Sequence, residues 1–302
     1  MHFYTRDRTD QNKLIKALCS DRDKFRFISD LINSLEKSTI FKQFFYFDSV
    51  ESTQDFASNL LSDRDRDRVE NFYSSVIISD YQSGGKGRKG HNWASPKGGI
   101  WMSVALKTNL KTPNLFHILM LVTKLLCQTL EHTTKLMSMV KWPNDILING
   151  KKVAGLLLDA EVQSNSINQV IIGLGVNSNN DLDLTKLMIN DKNDYDITTI
   201  KYENQNIEIS NYDFILYFLK SFDDTFQDLT SIKFVEELTT YYRNKIMESQ
   251  KHLRYRFSKD GNAFNGEISK IYDDGSLLVR NLESNSDADD DLVKIKSVYD
   301  LN

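Results

Sequence analysis

Two cysteines, Cys19 and Cys127, are all that 302 residues contain. That is too few for a disulfide framework, and no closely spaced Cys/His set has metal-ligand spacing. A reducing, cytoplasmic location is the expectation. The opening MHFYTRDRTDQNK lacks the apolar stretch of a secretory signal, and no apolar run reaches the roughly 20 residues that a membrane-spanning helix needs. Positive charge is not in excess either: 38 Lys and Arg stand against 42 Asp and Glu. A sequence-independent grip on nucleic acid therefore has no global field behind it, and any anion site must be local. Proline is nearly missing as well. Pro96, Pro113 and Pro143 each mark a place where the backbone is constrained.

What is present organises into three stretches. Residues 1–42 read as a charged helical extension, with Phe27, Ile28, Leu31, Ile32 and Leu35 at helical spacing. A winged helix needs about 60 residues and a turn between two helices, so this extension argues against DNA binding. DRDRDR at 63–68 reads as a solvated face or loop. Residues 43–250 alternate strand and helix and read as the main domain. FFYF, SSVIIS, IWMSVAL, MVKW, ILI, KKVAGLLL and QVIIGLGV are strand-like, Thr112 and Pro113 open a helix, and two amphipathic helices lie between Tyr212 and Glu248. Asn149-Gly150 between two of the strands signals a tight hairpin, because both residues tolerate positive φ. Residues 251–302 differ: short strands joined by turns such as Asp274-Gly275 suit a small barrel, with the acidic run at 285–291 as a solvated loop. The fold class implied is α+β.

The segment YQSGGKGRKGHNWASPKGGIWMS, residues 81–103, sets Gly84, Gly85, Gly87 and Gly90 among Lys86, Arg88, Lys89 and His91. Glycines expose backbone N–H groups and let the chain wrap closely around phosphate oxygens, while the cations offset their charge. Gly85, Gly87 and Gly90 also spell G-x-G-x-x-G, but that fingerprint must open a helix, whereas Pro96, Gly98 and Gly99 follow and then a strand. No Walker sequence occurs. A basic surface loop is the plain alternative. In KWPNDILINGKKVAGLLLDA, residues 141–160, Lys152 stands on the returning strand of the hairpin near Gly155, where a fixed ammonium could stabilise developing charge; an exposed hairpin lysine is the competing reading. Asn144 and Asp145 stand at its mouth, and Asp145 could equally be a turn carboxylate. In VIIGLGVNSN, Gly173 and Gly175 signal close approach of a ligand or of another backbone, and Asn177 carries an amide able to read a base edge. Ser52 and Thr53 sit at a strand-to-helix junction, where capping is the usual purpose.

In this order, ESTQDFA, YQSGGKGRKGHNW with SPKGGIWMS, KWPND, KKVAGLLLD and IIGLGVN resemble the biotin protein ligase family across about residues 43–180. The tail with GEISKIYDDGSLLV is similar to that family's C-terminal SH3-like barrel. The resemblance implies a mixed β-sheet flanked by helices, related to class II aminoacyl-tRNA synthetases, on which biotin and ATP meet. The activity implied is formation of biotinyl-5'-AMP and transfer of biotin to a lysine of a biotin carboxyl carrier protein. Carried over by motif position, Ser52, Thr53, Gln82, Gly85, Lys86, Arg88, Lys152 and Gly155 would hold biotin. Gly87, Arg88, Trp93, Asn144, Lys152 and Asn177 would hold ATP, with Trp93 offering a face to adenine or else serving as core. Lys152 and Arg88 would be the catalytic cations, and Asp145 would organise the side where Mg²⁺ accompanies ATP.

The chain departs from the family pattern in having Lys86 where an arginine usually stands, and Lys89 and His91 where arginines are frequent; lysine keeps charge but loses the bidentate fork. A lipoate-type ligase is the nearest rival enzyme, faintly echoed by Ser83-Gly84-Gly85, and KWPND with Trp93 argues against it. A non-catalytic biotin-binding module is the rival of another class, disfavoured by Arg88 and Lys152. A homodimer is left open by the sequence.

Overall fold

The computed structural model describes residues 2–5, 22–62, 74–112, 114–188, 196–253, 255–259, 262–283 and 291–296. Apolar, β-branched and aromatic runs supply the strands of one large sheet. These are β1 (His2–Thr5), β2 (Gln43–Phe47), β3 (Ser74–Ser79), β4 (Ile100–Lys111), β5 (Met139–Lys141), β6 (Asp145–Ile148), β7 (Lys151–Gln163) and β8 (Ser166–Val176). Their order is β1-β2-β3-β4-β8-β7-β6-β5. β2 and β3 run parallel and every other pair antiparallel, so the sheet is mixed, as expected.

Helices cover the two faces unequally. The helices are α1 (Arg22–Ser34), α2 (Thr53–Ser62), α3 (Asn114–Thr134), α4 (Leu182–Met188), α5 (Ile200–Glu203), α6 (Asn211–Thr225) and α7 (Ile232–Gln250). On one face, Ile28 and Leu31 of α1, Leu119 and Leu126 of α3, Phe218 of α6 and Tyr242 of α7 share a core with Val104, Leu158 and Ile172 of the sheet. α3 is apolar almost all round because the sheet lies on one side of it and α6 and α7 on the other. Each fully buried leucine there stabilises the fold by about 2 kcal/mol. The opposite face carries only a small cluster under α2, built from Phe45, Phe47, Ala57, Ile77, Ala105 and Ile171. The rest of that face is left for a cavity.

The helical reading of the N-terminal extension holds for α1, whose Ile28, Leu31, Ile32 and Leu35 are buried in the main core. Residues 2–5 instead form an edge strand paired antiparallel with β2, in keeping with the aromatic pair in HFYT. Cys19, Pro113, the DRDRDR stretch and residues 285–290 lie outside the described residues.

The C-terminal strands β9 (Tyr255–Lys259), β10 (Asn262–Ile271), β11 (Leu277–Asn281) and β12 (Leu292–Ile295) form an antiparallel meander in the order β12-β11-β10-β9. The sheet is open, and the expected barrel does not close among the described residues. Its turn at Asp274-Gly275 docks on α3: Gly275 has φ +82°, and a Cβ there would stand 2.4 Å from the Phe116 ring, so glycine is required twice over. Gln250 at the end of α7 bonds the backbone of Ile268 on β10 in both directions.

Candidate functional site

The glycine-rich segment folds back on itself instead of opening a helix. Gln82 N donates to Ser95 O (3.1 Å), Trp93 N to Gly85 O (2.8 Å) and Gly87 N to His91 O (2.7 Å). The turn at its tip puts Lys89 at φ 54° and Gly90 at φ 77°. The dinucleotide fingerprint therefore fails on geometry. Gly85 has no room for a side chain, because a Cβ would lie 2.5 Å from both Ser95 Oγ and Trp93 O. At its base the loop is tied to the segment before α2, with Ser83 N on Val50 O and Gly84 N on Glu51 O. Ser52 caps α2 by accepting from Asp55 N (3.2 Å).

The β6–β7 hairpin turns at Asn149-Gly150, both with positive φ, as their chemistry requires. A bulge follows: Ile146 pairs with Ala154 but Leu147 with Lys152, so Val153 is extra. Val153 and Ala154 both enter the core, and the alternation reverses there. Lys152 consequently shares a face with Gly155, where a Cβ would lie 3.3 Å from the lysine's Cε. Lys151 goes the other way, to Glu203 (3.2 Å). The Lys152 side chain is only 16% exposed, and its ammonium lies 2.7 Å from Asp145 Oδ1 and 5.0 Å from the centre of the Trp93 ring.

Trp93 lies against two glycines that pair across β7 and β8, Gly155 and Gly175. A Cβ on Gly175 would stand 2.5 Å from the indole nitrogen, and one on Gly155 2.9 Å from the ring edge. The close approach read from VIIGLGV is thus made by an indole. Arg88 donates to Asn144 Oδ1 (2.9 Å), and Asn144 is itself buried and bonds the Leu156 carbonyl.

At the other end of the site lies an uncharged floor. Gln82 Oε1 accepts from Thr53 N (2.8 Å) and Thr53 Oγ1 (3.0 Å), and its amide donates to Ser95 Oγ (2.8 Å). Thr53 Oγ1 and Ser103 Oγ are 2.9 Å apart. Ser103 donates to Gln54 Oε1 (3.1 Å), and Gln54 donates to Asp159 Oδ2 (2.8 Å). Gly173 makes space for this amide, since a Cβ there would lie 2.6 Å from Gln54 Oε1.

One cavity of about 650 Å³ joins both ends; its lining includes Thr53, Gln54, Gln82, Arg88, Trp93 and Lys152. Ser52, Lys86, Gly87, Asn144, Asp145, Gly155 and Asn177 also line it. Gly85 does not; it shapes the loop from behind. Lys86, although at the rim, bonds Asp55 in the first turn of α2, and that contact holds its pKa above the ordinary lysine value. In a chain of net charge -4, Lys86, Arg88, Lys89 and Lys152 face the cavity against the single carboxylate of Asp145. Such a space attracts anions at one end and offers fixed hydrogen-bonding groups at the other. Among the described residues no cluster of three His, Cys, Asp or Glu side chains could hold a metal alone. One carboxylate suits a divalent cation that arrives on a nucleotide's phosphates. Sequence reasoning missed Gln54, Ser95, Ser103 and Asp159, which are polar residues inside otherwise ordinary helix, loop and strand segments; Gly173 was the one available hint.

Residues 46–177 match the model of the biotin/lipoate A/B protein ligase family. The bifunctional ligase/repressor BirA of Bacillus spizizenii is 31% identical over 156 residues, covering 51% of this chain and 46% of that protein. The biotin–[acetyl-CoA-carboxylase] ligase of Paracoccus denitrificans is 31% identical over 34% of this chain and 44% of its own length. The chain thus spans about half the length of these curated relatives. Among solved structures, biotin protein ligase from Aquifex aeolicus in complex with biotin and ATP superposes with a TM-score of 0.57 at 19% identity, over 84% of this chain and 99% of that one.

Proposed function

We propose that this chain belongs to the biotin protein ligase family, activates biotin with ATP and transfers it to a lysine of a carrier protein in the cytoplasm; the match to the biotin/lipoate A/B protein ligase model and the similarity to biotin ligases support the reading. The observation that carries the reading is that Lys152 and Arg88 enter the same cavity as an uncharged floor of amides and hydroxyls. A ureido ring is a neutral donor and acceptor that must be satisfied when buried, and Thr53, Gln54, Gln82 and Ser103 offer both roles. A carboxylate and an α-phosphate repel each other, and two fixed cations in a partly dry site lower that cost.

In the first step a biotin carboxylate oxygen bonds to the α-phosphorus while the bond to the β-phosphate's bridging oxygen breaks, and pyrophosphate leaves. Lys152 lies where it can hold both reacting anions, and Arg88, braced by Asn144, lies beside it. Mg²⁺ bound to ATP would draw charge from the phosphates, with Asp145 the carboxylate on that side. In the second step the neutral amine of the carrier lysine attacks the acyl carbon, and AMP leaves with the former carboxylate oxygen. The mixed anhydride hydrolyses readily in water, so the glycine-rich loop acts as its shield. Replacing Arg88 by Gly is expected to let adenylate escape and to biotinylate bystander lysines, scored by the spread of labelled sites on a mixture of proteins.

The matching family model embraces lipoate ligases too, so the test supplies ATP with biotin or with lipoate and follows pyrophosphate release. Release with biotin alone, followed by labelling of a carrier-domain lysine, supports the proposal. Release with lipoate alone assigns the other branch, and no release with either leaves a binding module.

A further inference from the structure

Edge strand β5 and the turn after it are held by one face of α7. Tyr242, Lys245 and Ser249 stand at i, i+3 and i+7, the spacing that lines up a single helix face. Ser249 Oγ accepts from Val140 N (2.9 Å), Lys245 donates to Ser138 O (3.2 Å), and the Tyr242 hydroxyl donates to Pro143 O (2.5 Å). Tyr242 and Ser249 are 0% and 1% exposed, so these backbone groups have no water to fall back on. Tyr255, the first residue of the C-terminal sheet, reaches the same turn: its hydroxyl accepts from Trp142 N (3.4 Å). Burial pushes that phenol up to about 12, so it remains a hydroxyl.

The turn held in this way carries Asn144, which braces Arg88, and Asp145, which pairs with Lys152. We infer that Tyr242, seconded by Tyr255, is a positioning residue for the ligase reaction: its hydroxyl fixes the Trp142–Asp145 turn, and through it the two cations at the nucleotide end. The inference rests on the ligase reading above. It gives α7 and the C-terminal sheet a part in the chemistry although neither lines the cavity. The floor that would take the biotin head is built by Thr53 and Gln54 of α2, Ser103 of β4, and Gln82 and Ser95, which bond one another rather than this turn.

The test is Tyr242→Phe in the full chain. The edge-on packing of ring 242 against Phe116, 5.5 Å between centroids, stays in place. The KM for ATP in biotin-dependent ATP–pyrophosphate exchange is expected to rise about tenfold, while the Kd for biotin alone stays within about twofold. Tyr255→Phe, whose contact is longer, is expected to raise the same KM about threefold and serves as the readout if Tyr242→Phe does not accumulate. A folded variant with an unchanged KM for ATP, or one that only loses folded protein while keeping both constants, overturns the inference. A parent protein without biotin-dependent exchange refutes the ligase reading, and the inference with it.

Discussion

The two ends of the cavity are built on opposite principles. At the floor, Thr53, Gln54, Gln82, Ser95 and Ser103 bond one another, and only the Gln54 amide reaches out to a carboxylate, that of the exposed Asp159, so the buried polar groups stay satisfied until a ligand with matching donors and acceptors enters. At the rim, Lys152 is paired with Asp145, which a substrate anion can replace, and Arg88 is braced beside it on Asn144. The floor is a fixed template, and the rim is a braced cation beside one exchangeable ion pair. The contrast suits a molecule with a neutral head and an anionic tail meeting a second anion.

Removing the exchangeable charge should do most damage. Lys152→Met is expected to lower the rate of biotin-dependent pyrophosphate release by about 10²–10³-fold, the usual consequence of losing one fixed donor at developing charge. Biotin binding, followed by calorimetry, should weaken far less; an equal loss of both would erase the distinction between the ends. Next comes the indole between them. Gly175→Ala puts a methyl group 2.5 Å from the Trp93 nitrogen, so the ring must leave the β7–β8 surface, and kcat is expected to fall about 10²-fold because misplacement by an ångström is that costly. Steady-state kinetics with Gly173→Ala alongside sharpens this, since that methyl meets Gln54 and should act on biotin affinity instead.

At the floor, Gln54→Leu removes the amide that links Ser103 to Asp159, and the Kd for biotin is expected to rise about tenfold with kcat little changed. Smallest is the rim pair Lys86–Asp55, both partly exposed. Asp55→Asn should change activity by no more than about twofold. Its pH signature has a definite sign. Asp55 raises the lysine pKa above 10.5, so the pair's contribution to stability is present below that value and is lost as pH rises through the raised one. Melting curves of parent and variant should therefore converge in strong alkali and stay apart at neutral pH.

Much of this was legible in the residues. Asn149-Gly150 announced the hairpin, Pro96 with Gly98 and Gly99 ruled out a helix after the glycine-rich loop, and the apolar spacing from Leu115 to Leu126 marked α3. The direction of Lys152 was not legible. Strict alternation puts residue 152 on the face opposite Gly155, and only the bulge at Val153 brings the two together, a feature of pairing with β6 and not of local sequence. The floor was hidden for a related reason. Gln54 and Ser103 look like any polar residue in a helix or strand, and become a network only when α2 crosses the sheet beside Gly173. Edge strand β1 was not legible, because HFYT is only four residues long beside a charged run and becomes a strand through its pairing with β2.

Whether one pocket presses two anions together over a neutral template can be seen in a crystal grown with biotin and a non-hydrolysable ATP analogue. The ureido ring is expected on Thr53, Gln54, Gln82 and Ser103, with Lys152 Nζ turned from Asp145 to within hydrogen-bond distance of both the carboxylate and the α-phosphate. Biotin bound the other way round, or Lys152 still on Asp145 with both ligands in place, would contradict that arrangement.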